Sequence, residues 1–545
     1  MQRKLRFMIF VTLIFSVLLV LSGGVMAQDE KVATIALFQE PATLDHRNYA
    51  LNPSTFAVVW QIYEPLVYHD TRTDELIPGL AESWEQLDED SYQFNLRVTN
   101  WHDGEPFTAE DVAWSYTRTD NRVGQYGLDP ENPVEIIDDH TIIVNTNGPQ
   151  GPFLRQNLAL NMYILPEHIL EPFLADARVA EYEETTDDDG NVVTAEEVMQ
   201  QTLFSIDRGD LWTEPETFIG TGPFAYESWD RGQEIHLVAN DDYWAGRPNI
   251  DRLIYRWVED DTSRVIGLES GDFDMIIGVP TLDVERLQAE ENIEVIISAG
   301  PNYRMLSMNQ AVPALSDVRV RQAINYAVDQ EEITSLYGNL ASRTCGPLAN
   351  ISSFYNAEVN CYDLGSLEAN QERARELLAE AGWDSSTTLT ITITANDADE
   401  ALLVQQYLDE VGINVEISEV DPATFRSTVR GGESELALNS WGNVVDPDHM
   451  YWVFSWSGLA ETISGYQSET FNDLVITGQS STDSAERFEL YTEAQRVVVD
   501  DDSAAVFLYT LAELRAIRSD RLTGIESMPR PTDVFYFLRV ADIIE

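Results

Sequence analysis

Trp101 to Val112 reads WHDGEPFTAEDV, and its adjacent His102 and Asp103 are residue types that can move a proton. Neighbours in sequence point in different directions, Gly104 makes the stretch a turn, and no Ser or Cys nucleophile stands in a motif beside it. The segment therefore reads as a turn and helix start, and no catalytic residue is expected. Gly220-Thr221-Gly222, followed by Pro223, lacks the third glycine of a dinucleotide loop and opens no helix, so it predicts a tight turn before a strand at Phe224 to Trp229. Thr185 to Glu196 imitates a calcium loop, with Asp187, Asp189, Gly190 and Glu196 in the expected places, but Thr185 stands where the first Asp ligand belongs. A solvated loop leading into a helix capped by Thr194 and Glu197 is the expectation. The 7 His never fall at i,i+4 spacing and the 2 Cys cannot complete a zinc site, so neither a built-in metal nor a cofactor is expected. With 94 carboxylates, any pair chosen for glycoside hydrolysis is uninformative. The aromatic cluster Trp441, Tyr451, Trp452, Phe454 and Trp456 is more pointed, as core packing or as a stacking wall for an extended ligand.

Charge narrows the classes further. The chain has 545 residues, 33 Lys+Arg and 94 Asp+Glu, for a net charge of -61. Nucleic acid phosphates and anionic lipid heads would repel such a polyanion, so nucleic-acid binding is excluded. Lys4 and Lys31 are the only lysines, which removes the cation of a Walker loop and the amine of a Schiff-base enzyme. Compositional drift or adaptation to salt accounts for the Arg and carboxylate bias. At 44% hydrophobic and 10% aromatic the chain can nevertheless bury large cores, and its length predicts two to four domains.

Arg3, Lys4 and Arg6 precede the apolar run Phe7 to Leu21, and Val25-Met26-Ala27 supplies a small-residue end. This predicts a signal peptide over residues 1–27, an uncleaved anchor being the alternative. The mature chain would carry 30 cations against 94 carboxylates, a net charge of -64. No Cys stands at the cleavage point, so no lipid anchor is encoded there and a free protein in a bacterial periplasm is expected. In that oxidising compartment Cys345 and Cys361, which enclose a 15-residue loop, are predicted to form a disulfide worth about 3 kcal/mol on the chain-entropy model. Two buried free thiols are the alternative.

These segments need elements to hold them, and strand-like and helix-like stretches alternate along the chain. Residues 31–37 alternate as a strand, and Tyr92, Phe94, Leu96 and Val98 share one face of another. Thr108 with Asp111 predicts a capping box. In the last third, a helix over Ala369 to Ala381 ends at Gly382, and a strand over Leu389 to Thr394 follows. Next come a helix over 398–411, a strand over Ile413 to Ile417, a helix after Pro422 and a strand over Glu435 to Asn439. This is a βαβαβ pattern and an α/β fold class with parallel neighbours. Open α/β sheets bind ligands beyond the carboxyl ends of their strands, so Ser440 to Asp448 (SWGNVVDPD) is the first binding-site candidate.

Leu80 to Ser115 (LAESWEQLDEDSYQFNLRVTNWHDGEPFTAEDVAWS) closely resembles the signature of the family 5 extracellular solute-binding proteins of ABC importers. Ile219 to Phe224 (IGTGPF), Asn240 to Pro248 (NDDYWAGRP), Met308 to Ile333 and Ala379 to Trp383 (AEAGW) follow in the family's order. The resemblance implies a bilobal periplasmic-binding-protein fold with mixed sheets, a hinge between lobes and an extra N-terminal subdomain. It places domain I at 28–54, 216–300 and 509–545, the insertion subdomain at 55–215 and the second lobe at 301–508. The implied function is capture of a peptide-like or other extended organic ligand, handed unchanged to ABC importer permease subunits by a monomer. An oligosaccharide-binding member, a receptor-linked sensor and, remotely, a secreted carboxylate-dependent hydrolase are the alternatives. By similarity to peptide binders, Trp441, Gly442, Asn443 and Asp446 would contact the ligand, although Asn443 or Val444 falls where an amine-binding Asp belongs. Tyr49 and Asn52 resemble a first pocket strand, Tyr509 resembles a pocket aromatic, and Tyr303 and Arg304 lie just beyond the other hinge crossing.

Overall fold

A computed structural model describes residues 30–544, except for 42, 45–52, 71–72, 74, 119–122, 125, 181, 183–184, 187–191, 208–216, 443–445, 456–463 and 526–537. The expected signal peptide, Tyr49, Asn52, Asn443 and Trp456 lie outside the described residues, as do residues 187–191 of the calcium-like loop. Within that loop Thr185–Thr186 pairs with Val192–Val193, and Glu197 accepts from the Thr194 backbone N–H at 2.7 Å to cap the helix that follows. No described helix is long and apolar enough to cross a membrane.

Two mixed sheets organise the chain. The first has seven strands in the order Phe224–Asp230, Glu234–Ala239, Arg252–Trp257, Val32–Leu37, Met275–Ile277, Glu513–Arg518 and Ile293–Ser298. Val32–Leu37 runs parallel to both of its neighbours. The helix Pro53–Ile62 carries no charge, and Ala57, Val58, Val59 and Ile62 are fully buried in the core of this sheet. Tyr163, Leu165 and Leu170 share that core, so the helix packs where the first sheet meets the segment expected as the insertion.

A smaller antiparallel sheet, Ala81–Gln86, Ser91–Leu96, Thr141–Asn145 and Val134–Asp138, builds the insertion. Tyr92, Phe94 and Leu96 face its core as the alternation predicts. Val98, read as their continuation, is instead 81% exposed because the strand ends at Leu96. The capping box forms, with the Thr108 backbone N–H donating to Asp111 Oδ2 at 2.9 Å ahead of the helix Ala109–Thr117.

The second lobe has six strands in the order Ala341–Arg343, Ala505–Leu511, Tyr303–Met308, Leu436–Trp441, Thr388–Ile393 and Asn414–Glu419. The βαβαβ reading holds here within one or two residues, with helices Ala398–Glu410 and Pro422–Arg430 between strands parallel to Thr388–Ile393. Gly382 ends the helix Leu367–Ala381 in the left-handed conformation, at φ 73°. Cys345 and Cys361 are joined by a disulfide with Cα atoms 5.0 Å apart.

The chain passes between the two large sheets twice, from Ser298 to Tyr303 and from Leu511 to Glu513. Tyr509 therefore belongs to the second-lobe sheet, where it pairs with Arg304 and Arg343, and not to domain I as expected. A Cβ on Gly300 would stand 1.7 Å from the Leu511 carbonyl oxygen. The two crossings approach too closely there for any other residue.

Candidate ligand site at the edge of the second lobe

The motifs of the first half pack the insertion onto the first lobe. Glu64 is fully buried and accepts from Tyr68 Oη at 3.0 Å, Tyr243 Oη at 2.9 Å and Trp244 Nε1 at 3.0 Å. Burial raises its carboxyl while these donors pull it back. The Arg97 guanidinium lies 3.8 Å over the Trp244 ring. His102 does no acid–base chemistry with Asp103: its Nε2 donates to the Gly222 carbonyl at 2.9 Å and its Nδ1 accepts from the Gly220 N–H at 3.2 Å, while Asp103 turns to His168 at 2.8 Å. Using both nitrogens this way requires the neutral ring, and burial pushes its pKa down to about 4. The Gly220 and Gly222 backbones lie against Ile62 and Gln61, where added Cβ atoms would fall 1.8 Å and 2.3 Å from carbonyl oxygens. This is a packing turn, with no cradle for a phosphate.

The candidate site is the hinge-side end of the second-lobe sheet, where Leu436–Trp441 and Thr388–Ile393 present their carboxyl ends. Alternation sends neighbouring residues to opposite faces, and each face carries a polar cluster. On the face covered by the helix Ala398–Glu410, Arg304 Nε donates to Glu400 Oε2 at 2.9 Å, Nη2 bonds Asp397, and Nη1 reaches Ser440 Oγ at 3.4 Å. Tyr337 Oη donates to Glu400 at 2.5 Å, Tyr509 Oη donates to the same oxygen, and the two phenol rings lie 5.0 Å apart. Burial and the Glu400 charge push Tyr337 up to about 12. Burial alone would lower the Arg304 pKa, but Glu400 and Asp397 hold it above its ordinary value.

On the opposite face stand Tyr303 and Trp441, which are directly paired across adjacent strands. Tyr303 is fully buried, edge-on to Phe507 at 5.8 Å, and the Trp441 ring lies 6.4 Å from that of His449. Asp446 is 0% exposed and held by both arms of Arg487, at 2.9 and 2.5 Å. Asp448 accepts from Tyr491 Oη and Gln479 Nε2, each at 3.2 Å. Burial, then the neighbouring Asp446 charge, push the Asp448 carboxyl up to about 7, whereas burial pushes His449 down to about 4.

Several residues expected to contact the ligand have protein partners. Asp446 is a buried ion-pair partner of Arg487, which returns from a distant helix to meet it. Arg304 and Tyr509 are committed to Glu400. Gly442 approaches the hinge, since a Cβ there would meet Asn302 Oδ1 at 1.8 Å, so its role is close packing. Of the aromatic cluster, Phe454 is core and Trp441 and Tyr451 are half-buried against it, leaving Trp452, 52% exposed, as the available stacking surface. Sequence reading missed Glu400, Asp397, Tyr337 and Arg487; only the capping pattern around Asp397 had a local signal.

The two halves of the molecule also touch. The Gly151 N–H in the insertion donates to the Gln479 carbonyl in the second lobe at 2.8 Å. A Cβ at Gly151 would fall 2.3 Å from the Ser481 carbonyl oxygen and 2.4 Å from Arg487 Nε.

Residues 75–461 match the model for bacterial extracellular solute-binding proteins, family 5. The chain belongs to that family. The dipeptide-binding protein of Escherichia coli is 27% identical over 485 residues, covering 82% of this chain and 84% of its own. Among solved structures, the ABC transporter substrate-binding protein CtaP of Listeria monocytogenes superposes with a TM-score of 0.78 at 23% identity, covering 95% of this chain and 100% of the other. The oligopeptide-binding protein AppA of Bacillus subtilis, in complex with a nonapeptide, gives 0.74 at 22% identity, covering 95% and 100%. This family 5 protein thus has the bilobal fold of periplasmic binding proteins and is a solute-binding protein whose relatives serve ABC transporters.

Proposed function

We propose that the chain is exported through its N-terminal segment, captures a peptide-like or otherwise extended organic ligand between its lobes, and hands it to the permease subunits of an ABC importer. It acts as a monomer and leaves the ligand chemically unchanged. The observation that carries this reading is the contact of Gly151 with Gln479. Glu64 and His102 fix the insertion to the first lobe, so that hydrogen bond bridges the lobes, and on this reading it belongs to the closed arrangement. A ligand touching both sides stabilises closure, because its contacts exist only in that state. The peptide-like class is supported by the names of the relatives.

Native mass spectrometry of the freshly purified mature chain, followed by denaturation, tests the ligand class. A released peptide mixture is expected; a released sugar would replace the peptide reading with the oligosaccharide one, which the exposed Trp452 and the locked Asp446 favour. The closure reading is tested by Gly151→Ala, whose Cβ would hold the lobes apart. Ligand affinity should fall about tenfold, roughly 1.4 kcal/mol, with a larger radius in small-angle scattering of the liganded protein. Unchanged affinity and radius would reject it.

A further inference from the structure

The edge of the second lobe sorts its polar groups in a way that specifies what it can bind, given the inter-lobe capture proposed above. Every carboxylate described there already has partners: Asp446 has Arg487, Asp448 has Tyr491 and Gln479, and Asp397 and Glu400 share Arg304. The residues between Gly442 and Asp446 are Asn443, Val444 and Val445, which add no charge. Three buried polar atoms, in contrast, have no hydrogen-bond partner among the described residues: Trp441 Nε1, Tyr303 Oη and His449 Nε2. They belong to one neighbourhood, since Tyr303 and Trp441 are cross-strand partners packed in the same core and the His449 ring adjoins Trp441. Indole N–H is a donor only, and a phenol in an apolar setting donates by preference to a stronger acceptor. Trp441 and Gly442 remain partly exposed, so the neighbourhood opens at the end of the strand.

We propose that this edge is a subsite for an oxygen acceptor of the ligand, an acyl carbonyl, carboxylate or hydroxyl, bound by Trp441 Nε1–H and Tyr303 Oη–H, and that it does not take a free ammonium group. A buried donor without a partner destabilises the unliganded fold and is satisfied on binding, which makes the site selective against ligands lacking the acceptor. An ammonium group has only donors to offer; the indole N–H opposes it, and each carboxylate named above is already paired.

The test measures binding of N-acetyl-tetraalanine, tetraalanine with a free amino terminus, and maltotetraose to the mature chain and to Trp441→Phe and Tyr303→Phe. Tyr303→Phe keeps its ring and loses only the hydroxyl, whereas Trp441→Phe loses the indole N–H together with part of the ring. The acetylated peptide should bind at least tenfold tighter than the free one, each variant should bind it about fivefold more weakly, and Tyr303→Phe, which leaves no cavity, should melt at a higher temperature than the parent. That opposite movement of affinity and stability is the signature a merely structural residue would not give. A tenfold preference for the free amine, or variants that gain stability with unaltered affinity, overturns the subsite. If only maltotetraose binds, the peptide reading fails by itself; the subsite then stands if the two variants weaken the sugar fivefold and falls if they do not.

Discussion

The two polar clusters at the end of the second-lobe sheet are built from the same strands and do opposite things. Around Arg304, one cation is shared by two carboxylates, and two phenols and a hydroxyl complete the set, so every described donor finds an acceptor. Around Trp441, the charges are paired off deeper in the lobe and three neutral polar atoms are left over. The difference shows that a charged residue near a cleft is weak grounds for ligand contact. Saturated clusters hold the strands in place, while unsaturated ones have capacity to bind.

The largest effect should come from breaking the saturated pair nearest the unsaturated site. Asp446→Asn leaves Arg487 buried without its counter-charge and should cost about 3–5 kcal/mol in urea unfolding. A loss below about 1 kcal/mol would show that Asp446 is solvated and free to meet ligand after all. Asp448 sharpens the contrast through its sign. Its folded pKa of about 7 lies above the unfolded value near 3.8, so the folded state binds the extra proton between those values and stability falls as pH rises from 4 through 7. Asp448→Asn should therefore stabilise the protein at pH 8, on the order of 2 kcal/mol after allowing for relaxation, and have little effect at pH 4. The reverse pH dependence would mean that Arg487 keeps Asp448 ionised. In the Arg304 cluster, Glu400→Gln should cost only about 1–2 kcal/mol, because Asp397 remains to hold Arg304. A loss as large as that of Asp446→Asn would erase the distinction between shared and exclusive pairing.

The elements of the second lobe were legible because their signals are local. The period-2 run at 389–394, the stop at Gly382 and the helix start after Asp421-Pro422 each lie within a few residues. The site was less legible because its pairings are distant: Arg487 is 41 residues from Asp446, Glu400 is 96 from Arg304 and 109 from Tyr509. A motif identifies the segment after the strand as important, but whether Asp446 faces ligand or protein depends on a helix that the motif does not contain. The same holds for Glu64, whose tyrosine and tryptophan partners lie 179 and 180 residues away.

Gly300 sets the mechanics of the whole molecule. With the Leu511 carbonyl occupying the place a side chain would take, the two strands that cross between lobes bear on each other at one point. On the inter-lobe capture proposed above they would act as a single axle. A rotation of one lobe against the other then has its pivot beside Gly300 and its lever arm in the body of the lobes, so a pair of labels spanning 300 and 511 should report almost no change on binding. The same pair placed at Gly151 and Gln479 should report the full swing.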